Sequence, residues 1–120
     1  MQFTPHLIPV NKGILSTLYV NPVSKVMNAA TAQEISDKVA ACYRKAYSEE
    51  PFVRVLEGKA LPDTKNVVGT NVVEFAWRVD PRTGRLIVMS AEDNLVKGAS
   101  GQAVQNMNLM AGFPETIGLL

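Results

Sequence analysis

The sequence is short of the residues on which most chemistry depends. Of its 120 residues, one is cysteine and one is histidine. The lone Cys42 excludes an intrachain disulfide and a cysteine-rich zinc site. His6 stands beside no serine or thiol in any motif of nucleophilic catalysis. No metal-ligand spacing occurs. No Gly-x-Gly-x-x-Gly follows a strand-like run, and no Gly-Lys-Ser/Thr is found, so the chain has no nucleotide-phosphate cradle of its own. Neither charge sign is in excess: 12 Lys and Arg face 11 Asp and Glu, for a net charge of +1. That balance offers no basic patch for nucleic acid and no acidic tail. No apolar run approaches the length of a membrane span. The N-terminus, Met1-Gln-Phe-Thr-Pro-His6, is neither a signal nor a transit peptide, and the expected location is the cytoplasm. Internal repeats and low-complexity segments are absent.

The residues that are present describe an ordinary globular domain, with 47% apolar residues and a length suited to one core. Phe3–Val10 is apolar but broken by Pro5 and Pro9, so it reads as a short edge strand or an extended lead-in. Lys12-Gly13 is a turn or bulge. Ile14–Val20 alternates and predicts a strand buried on at least one face. A polar loop follows, up to Ala30. Thr31 and Glu34 have capping-box spacing, which predicts a helix from Ala32 to about Ser48. Its inner stripe is Ile35, Val39, Cys42 or Tyr43, and Ala46. Phe52–Leu56 is a short strand and Glu57–Lys65 a loop. Asn71–Val79 alternates, with Val73, Phe75, Trp77 and Val79 inward and Glu74 and Arg78 outward. Asp80-Pro-Arg-Thr-Gly84 is a hairpin turn, and Arg85–Ala91 returns as the partner strand. The class is α+β: a mixed or antiparallel sheet with helices on one face.

The last helix is unusual. From Gly98 to Pro114 there is no charged residue. Ala99, Ala103, Val104, Met107 and Met110 recur at helical spacing, and Gln102, Gln105, Asn106 and Asn108 hold the opposite side. A surface helix ordinarily carries Lys and Glu there. Such a helix is either a buried terminal helix or one covered on both sides, by its own sheet and by a polar neighbour. Gly98 and Gly101 would admit a close approach of backbone or ligand. Gly112 is the expected C-cap, with Pro114 after it.

Four reactive side chains can be weighed. Cys42, mid-helix, lacks the helix N-terminus or neighbouring cation that activates a thiol, and reads as a small core residue. His6 is a weak candidate for a base. Lys12 and Lys97 each sit beside a glycine at a strand or helix end, where a cation can meet an anion; the alternative for each is a solvated surface lysine.

Three stretches together carry a resemblance. They are Phe3-Thr-Pro-His-Leu-Ile-Pro-Val-Asn-Lys-Gly-Ile-Leu-Ser-Thr-Leu-Tyr-Val20, Glu50-Pro-Phe-Val-Arg-Val-Leu56, and the run Ser90-Ala-Glu-Asp-Asn-Leu-Val-Lys-Gly-Ala-Ser-Gly-Gln-Ala-Val-Gln-Asn-Met-Asn-Leu-Met110 with its tail Gly112-Phe-Pro-Glu-Thr-Ile-Gly118. The chain resembles, along its whole length, the C-terminal part of the N-acetyl-gamma-glutamyl-phosphate reductase family, within the semialdehyde-dehydrogenase group. The resemblance implies a partial glyceraldehyde-phosphate-dehydrogenase-like C-terminal domain over residues 1–120, part of a substrate and dimerisation domain, without the Rossmann domain that binds NADP. It implies an NADPH-dependent reduction of an acyl phosphate to a semialdehyde in arginine biosynthesis, through a cysteine thiolate and a histidine. Here Cys42 stands in Ala-Ala-Cys-Tyr-Arg, not in the family's Gly-Cys-Tyr-Pro-Thr. His6 does not match the family's histidine motif. No catalytic residue is therefore assigned, and the chain alone is expected to be inactive, a fragment of the enzyme. The resemblance places Asn94 at the nicotinamide of the cofactor; Lys12 and Lys97, cations beside glycines at a strand and a helix end, are the candidates to bind the substrate. As a helix start, Asn94 could instead serve only as an N-cap. A homo-oligomer paired through the sheet is implied. The related aminoadipyl-phosphate reductase of lysine biosynthesis and a non-catalytic association domain are the alternatives.

Overall fold

Strand β3, Val73–Val79, is the middle of the molecule. In a computed structural model, which describes residues 2–23 and 29–119, it pairs antiparallel with β4, Leu86–Glu92, and parallel with β2, Val53–Val55. Strand β1, Ile14–Val20, adds antiparallel to β4, giving a four-stranded mixed sheet in the order β1-β4-β3-β2. Helix α1, Ala29–Tyr47, and a short helix α2, Thr64–Val67, accompany the sheet. A π-helical turn, Val96–Ser100, leads into the last helix, α3, Gly101–Ala111. The architecture is the expected α+β class.

Aromatic packing sets α1 on the sheet. Tyr43 meets Phe75 edge-on at a centroid distance of 4.7 Å, and Tyr47 meets the same ring at 5.4 Å. Each such pair contributes about 0.5–1.5 kcal/mol beyond its buried area. Trp77 Nε1 donates to Ser36 Oγ at 3.0 Å, which satisfies the one polar atom of a buried indole. The hairpin between β3 and β4 forms where its turn residues place it. Asp80 accepts from the Arg82 backbone N–H and the Thr83 hydroxyl, and these donors hold its carboxyl below the usual carboxylate range.

Several expectations need correction. Helix α1 begins at Ala29, so Thr31 lies inside it rather than at the N-cap; Ala29 and Ala30, strong helix formers, extend the helix upstream. The expected polar loop before it falls largely on residues 24–28, outside the described residues. The inner stripe of α1 is Ala32, Ile35, Val39 and Tyr43, while Cys42 and Ala46 are exposed. Phe3–Val10 forms no strand and is exposed throughout. Strand β1 is not buried on a face: Leu15, Leu18 and Tyr19 are exposed at 60%, 50% and 66%. It is an edge strand, and α1 packs on β2 and β3 instead. The expected loop 57–65 runs into α2, capped by Asp63, whose carboxylate accepts from the Lys65 backbone N–H. Glu74, expected outward, is buried. It pairs with Arg54 at 2.5 Å and accepts from Asn66 Nδ2. A central strand has two covered faces, so alternation along it does not mark solvent.

Helix α3 is the largest departure. Two of its amides are buried: Gln105 and Asn108 are 8% and 1% exposed, whereas Met107 and Met110 are 54% and 89% exposed and Asn106 is exposed as well. Gln105 and Asn108 turn inward because they have partners there. Asn108 Nδ2 donates to the carbonyls of Glu115 and Ile117. The tail can make that return because Gly112 takes the left-handed conformation (φ 74°) as C-cap, a conformation glycine adopts without strain.

Candidate functional site at the junction of strand β4 and helix α3

Asp93 follows β4 directly and has no exposed surface. Its Oδ1 accepts from the backbone N–H groups of Leu95 (2.8 Å) and Val96 (3.1 Å). Its Oδ2 accepts from the Gly69 N–H (2.7 Å) and pairs with Lys12 Nζ at 3.2 Å. Burial alone would raise the pKa of this carboxyl. The Gly69 and Leu95 donors, with Lys12 and Val96, outweigh burial and hold it at about 2. One carboxylate thus ties the start of the π-turn to two distant loops. Gly69 can present its N–H there because its backbone is left-handed (φ 83°).

Asn94 does not cap the helix; Asp93 does that work. The Asn94 Oδ1 accepts from the Gly13 N–H at 2.7 Å. Gly13 itself is left-handed (φ 112°), and a Cβ there would press on Thr64 at 3.1 Å. The Asn94 side chain is half-buried. Its oxygen is engaged, and among the described residues its amide Nδ2 has no hydrogen-bond partner. It remains able to donate.

The π-turn itself contributes to a second cluster. Lys97 Nζ donates to Gln105 Oε1 at 2.8 Å and stands 5.6 Å from the centre of the buried Phe52 ring. Burial pushes the Lys97 ammonium below its usual pKa, against the upward pull of Glu115, Glu92 and Glu50. Asn71 Nδ2 donates to the same Gln105 oxygen at 3.0 Å, and Gln105 Nε2 donates to Glu115 Oε1 at 2.5 Å. The Asn71 Oδ1 is buried without a hydrogen-bond partner and lies against Gly101. The close approach expected at Gly101 is therefore made by the chain's own Asn71.

The structure brings Lys12 and Asn94 together on either side of Asp93. Lys97, in the π-turn, belongs to the neighbouring cluster around Gln105 of α3. Both lysines have partners, a carboxylate for Lys12 and an amide for Lys97. His6 is exposed in the lead-in and Cys42 on α1, apart from both clusters. Among the described residues no group of three His, Cys, Asp or Glu could hold a metal ion. Sequence reasoning missed Asp93, Asn71, Gln105 and Glu115 as organising residues. The run of neutral amides is a signal for Gln105 alone.

A family model described as semialdehyde dehydrogenase, dimerisation domain, matches residues 1–94. The match spans well over half of the sequence, and the chain belongs to that family. It is 56% identical, over 98% of its length, to the N-acetyl-gamma-glutamyl-phosphate reductase of Citrifermentans bemidjiense. It is 54% identical over 99% of its length to the protein of the same name from Pelobacter propionicus, and 51% over 99% to that of Alkaliphilus metalliredigens. Each comparison covers 32% of the relative, so the chain spans about a third of the length of these curated relatives. No helix among the described residues is long and apolar enough to cross a membrane.

Proposed function

We propose that this domain serves an NADPH-dependent reductase that converts N-acetyl-gamma-glutamyl phosphate to its semialdehyde, in the cytoplasm, as a homo-oligomer. The names of the relatives support the substrate. The family's dimerisation role and the exposed apolar row of β1 support pairing with a second copy. The chain contributes no nucleophile and no base, since Cys42 and His6 lie apart from the junction; acting alone it is not a reductase.

The observation that carries the reading is the division of labour between Asp93 and Asn94. Asp93 caps the π-turn and ties it to Gly69 and Lys12. Asn94 is thereby held by its oxygen, with its amide N–H free to donate to the nicotinamide carboxamide of NADP. When bound, that cofactor supplies the hydride. Asn94 orients the ring, and it does so without spending the bond to Gly13. Lys12, held by Asp93, and Lys97, held by Gln105, are the cations that meet the anionic groups of the substrate.

The test is a pair of substitutions in the intact reductase. Asn94→Ala is expected to lower kcat/KM for NADPH about tenfold, the worth of one hydrogen bond to a bound ligand. Asn94→Asp keeps an oxygen for the Gly13 N–H, so its melting temperature stays close to that of the parent. It cannot donate, and kcat/KM for NADPH should remain as low as in the alanine variant. An aspartate variant with near-normal turnover and NADPH affinity would overturn the assignment.

A further inference from the structure

Lys97 differs from the other cation of the junction in how it is held. Lys12 is neutralised by the Asp93 carboxylate at 3.2 Å. Lys97 is held by an amide oxygen at 2.8 Å, and among the described residues no carboxylate lies within ion-pair distance of it. An amide acceptor fixes the direction of an ammonium group without cancelling its charge. The face of Phe52 does the same on a second side. Three carboxylates surround the site at longer range: Glu50 just before β2, Glu92 at the end of β4 and Glu115 in the tail. Glu115 accepts a hydrogen bond from Gln105 Nε2.

Gln105 is therefore at the centre. It is 8% exposed. Its oxygen serves Lys97 and Asn71, and its nitrogen holds Glu115. Asn71 in turn is locked against Gly101, so the amide of Gln105 has one orientation that satisfies all three neighbours. We propose that Gln105 is a positioning residue, which presents the Lys97 ammonium to the anionic group of the substrate. The inference rests on the reading of Lys97 as a substrate-binding cation.

The experiment uses the intact reductase with Gln105→Met, Gln105→Glu and Lys97→Met, followed by steady-state kinetics against pH. Lys97 must be protonated to hold an anion, so KM for the acyl phosphate rises as pH passes the Lys97 pKa. Gln105→Met removes an acceptor from the ammonium. It should raise this KM about tenfold, as expected for one charge-assisted hydrogen bond, leave KM for NADPH unchanged, and move the alkaline rise to lower pH. Gln105→Glu sets a carboxylate beside the ammonium, which favours its charged form. It should move the rise to higher pH, although neutralisation weakens substrate binding. A purely structural role would lower the melting temperature and the active fraction in both variants without moving the alkaline rise. An alkaline rise that stays in place in both Gln105 variants overturns the proposal while leaving the substrate role of Lys97 intact. Lys97→Met with an unchanged KM for the acyl phosphate overturns the underlying reading, and the proposal with it.

Discussion

Replacing Asp93 with alanine is expected to cost the domain about 3–5 kcal/mol, the range for breaking a buried charged network by removing one side. The loss has identifiable parts. The Gly69, Leu95 and Val96 backbone N–H groups lose their acceptor together, and each unsatisfied buried donor costs about 1–3 kcal/mol. Lys12 loses its counter-charge. Asp93→Asn should fall between the two, because one amide oxygen still reaches Leu95 and Val96 while an NH₂ group meets the Gly69 N–H and the Lys12 ammonium. The same network fixes the acid response. The Asp93 pKa is depressed from 3.8 to about 2. A carboxyl whose folded pKa lies below its unfolded value contributes stability that is complete above the unfolded value and lost as pH falls through the folded one. The domain should therefore lose this contribution between about pH 4 and pH 2, and Asp93→Asn should flatten the profile in that window. Urea titration of the three proteins at a series of pH values reads both effects. An Asp93→Ala protein within 1 kcal/mol of the parent would remove the carboxylate from the centre of the junction.

Gly101→Ala should also be severe, and its sign is diagnostic. In a helix, alanine is favoured over glycine by about 1 kcal/mol on propensity alone. Here a Cβ at residue 101 would overlap the Asn71 amide oxygen and lie 2.9 Å from both the Val96 carbonyl oxygen and Val96 Cγ1. Asn71 cannot give way, because it is buried and its Nδ2 is bound to Gln105. Overpacking of this kind costs about 1–3 kcal/mol and occasionally more. We expect a loss of about 3 kcal/mol in chemical denaturation. Pairing it with Asn71→Ala should recover part of the loss and no more, since the Val96 backbone remains in place. A Gly101→Ala domain more stable than the parent would show that the contact with Asn71 is not tight.

Local signals account for what the sequence made legible. Strand β1 and the β3–β4 hairpin follow from period-two alternation and from the turn residues Asp80, Pro81 and Gly84, all of which act within a few residues. Gly112 as C-cap is equally local. Long-range partners account for what was not. Alternation puts Glu74 on the outer side, but its partners Arg54 and Asn66 lie on other elements. The pattern of α3 assigns its methionines to the interior, yet Gln105 and Asn108 find their partners in Asn71 and in the tail and take that place instead. At the junction, Lys12 and Asn94 were visible as chemistry-bearing residues. Asp93, which joins them, was visible only as a neighbour, because its donors come from Gly69 and Leu95 through backbone groups that carry no sequence signature.

We propose that this domain works in reduction of N-acetyl-gamma-glutamyl phosphate. That role is tested most directly by following NADPH oxidation in the intact reductase with that acyl phosphate and, separately, with the longer aminoadipyl phosphate. Phosphate-releasing NADPH consumption is expected with the glutamyl substrate, and a clearly lower kcat/KM with the aminoadipyl one. Absence of NADPH oxidation with both, or a preference for the longer substrate, would contradict it.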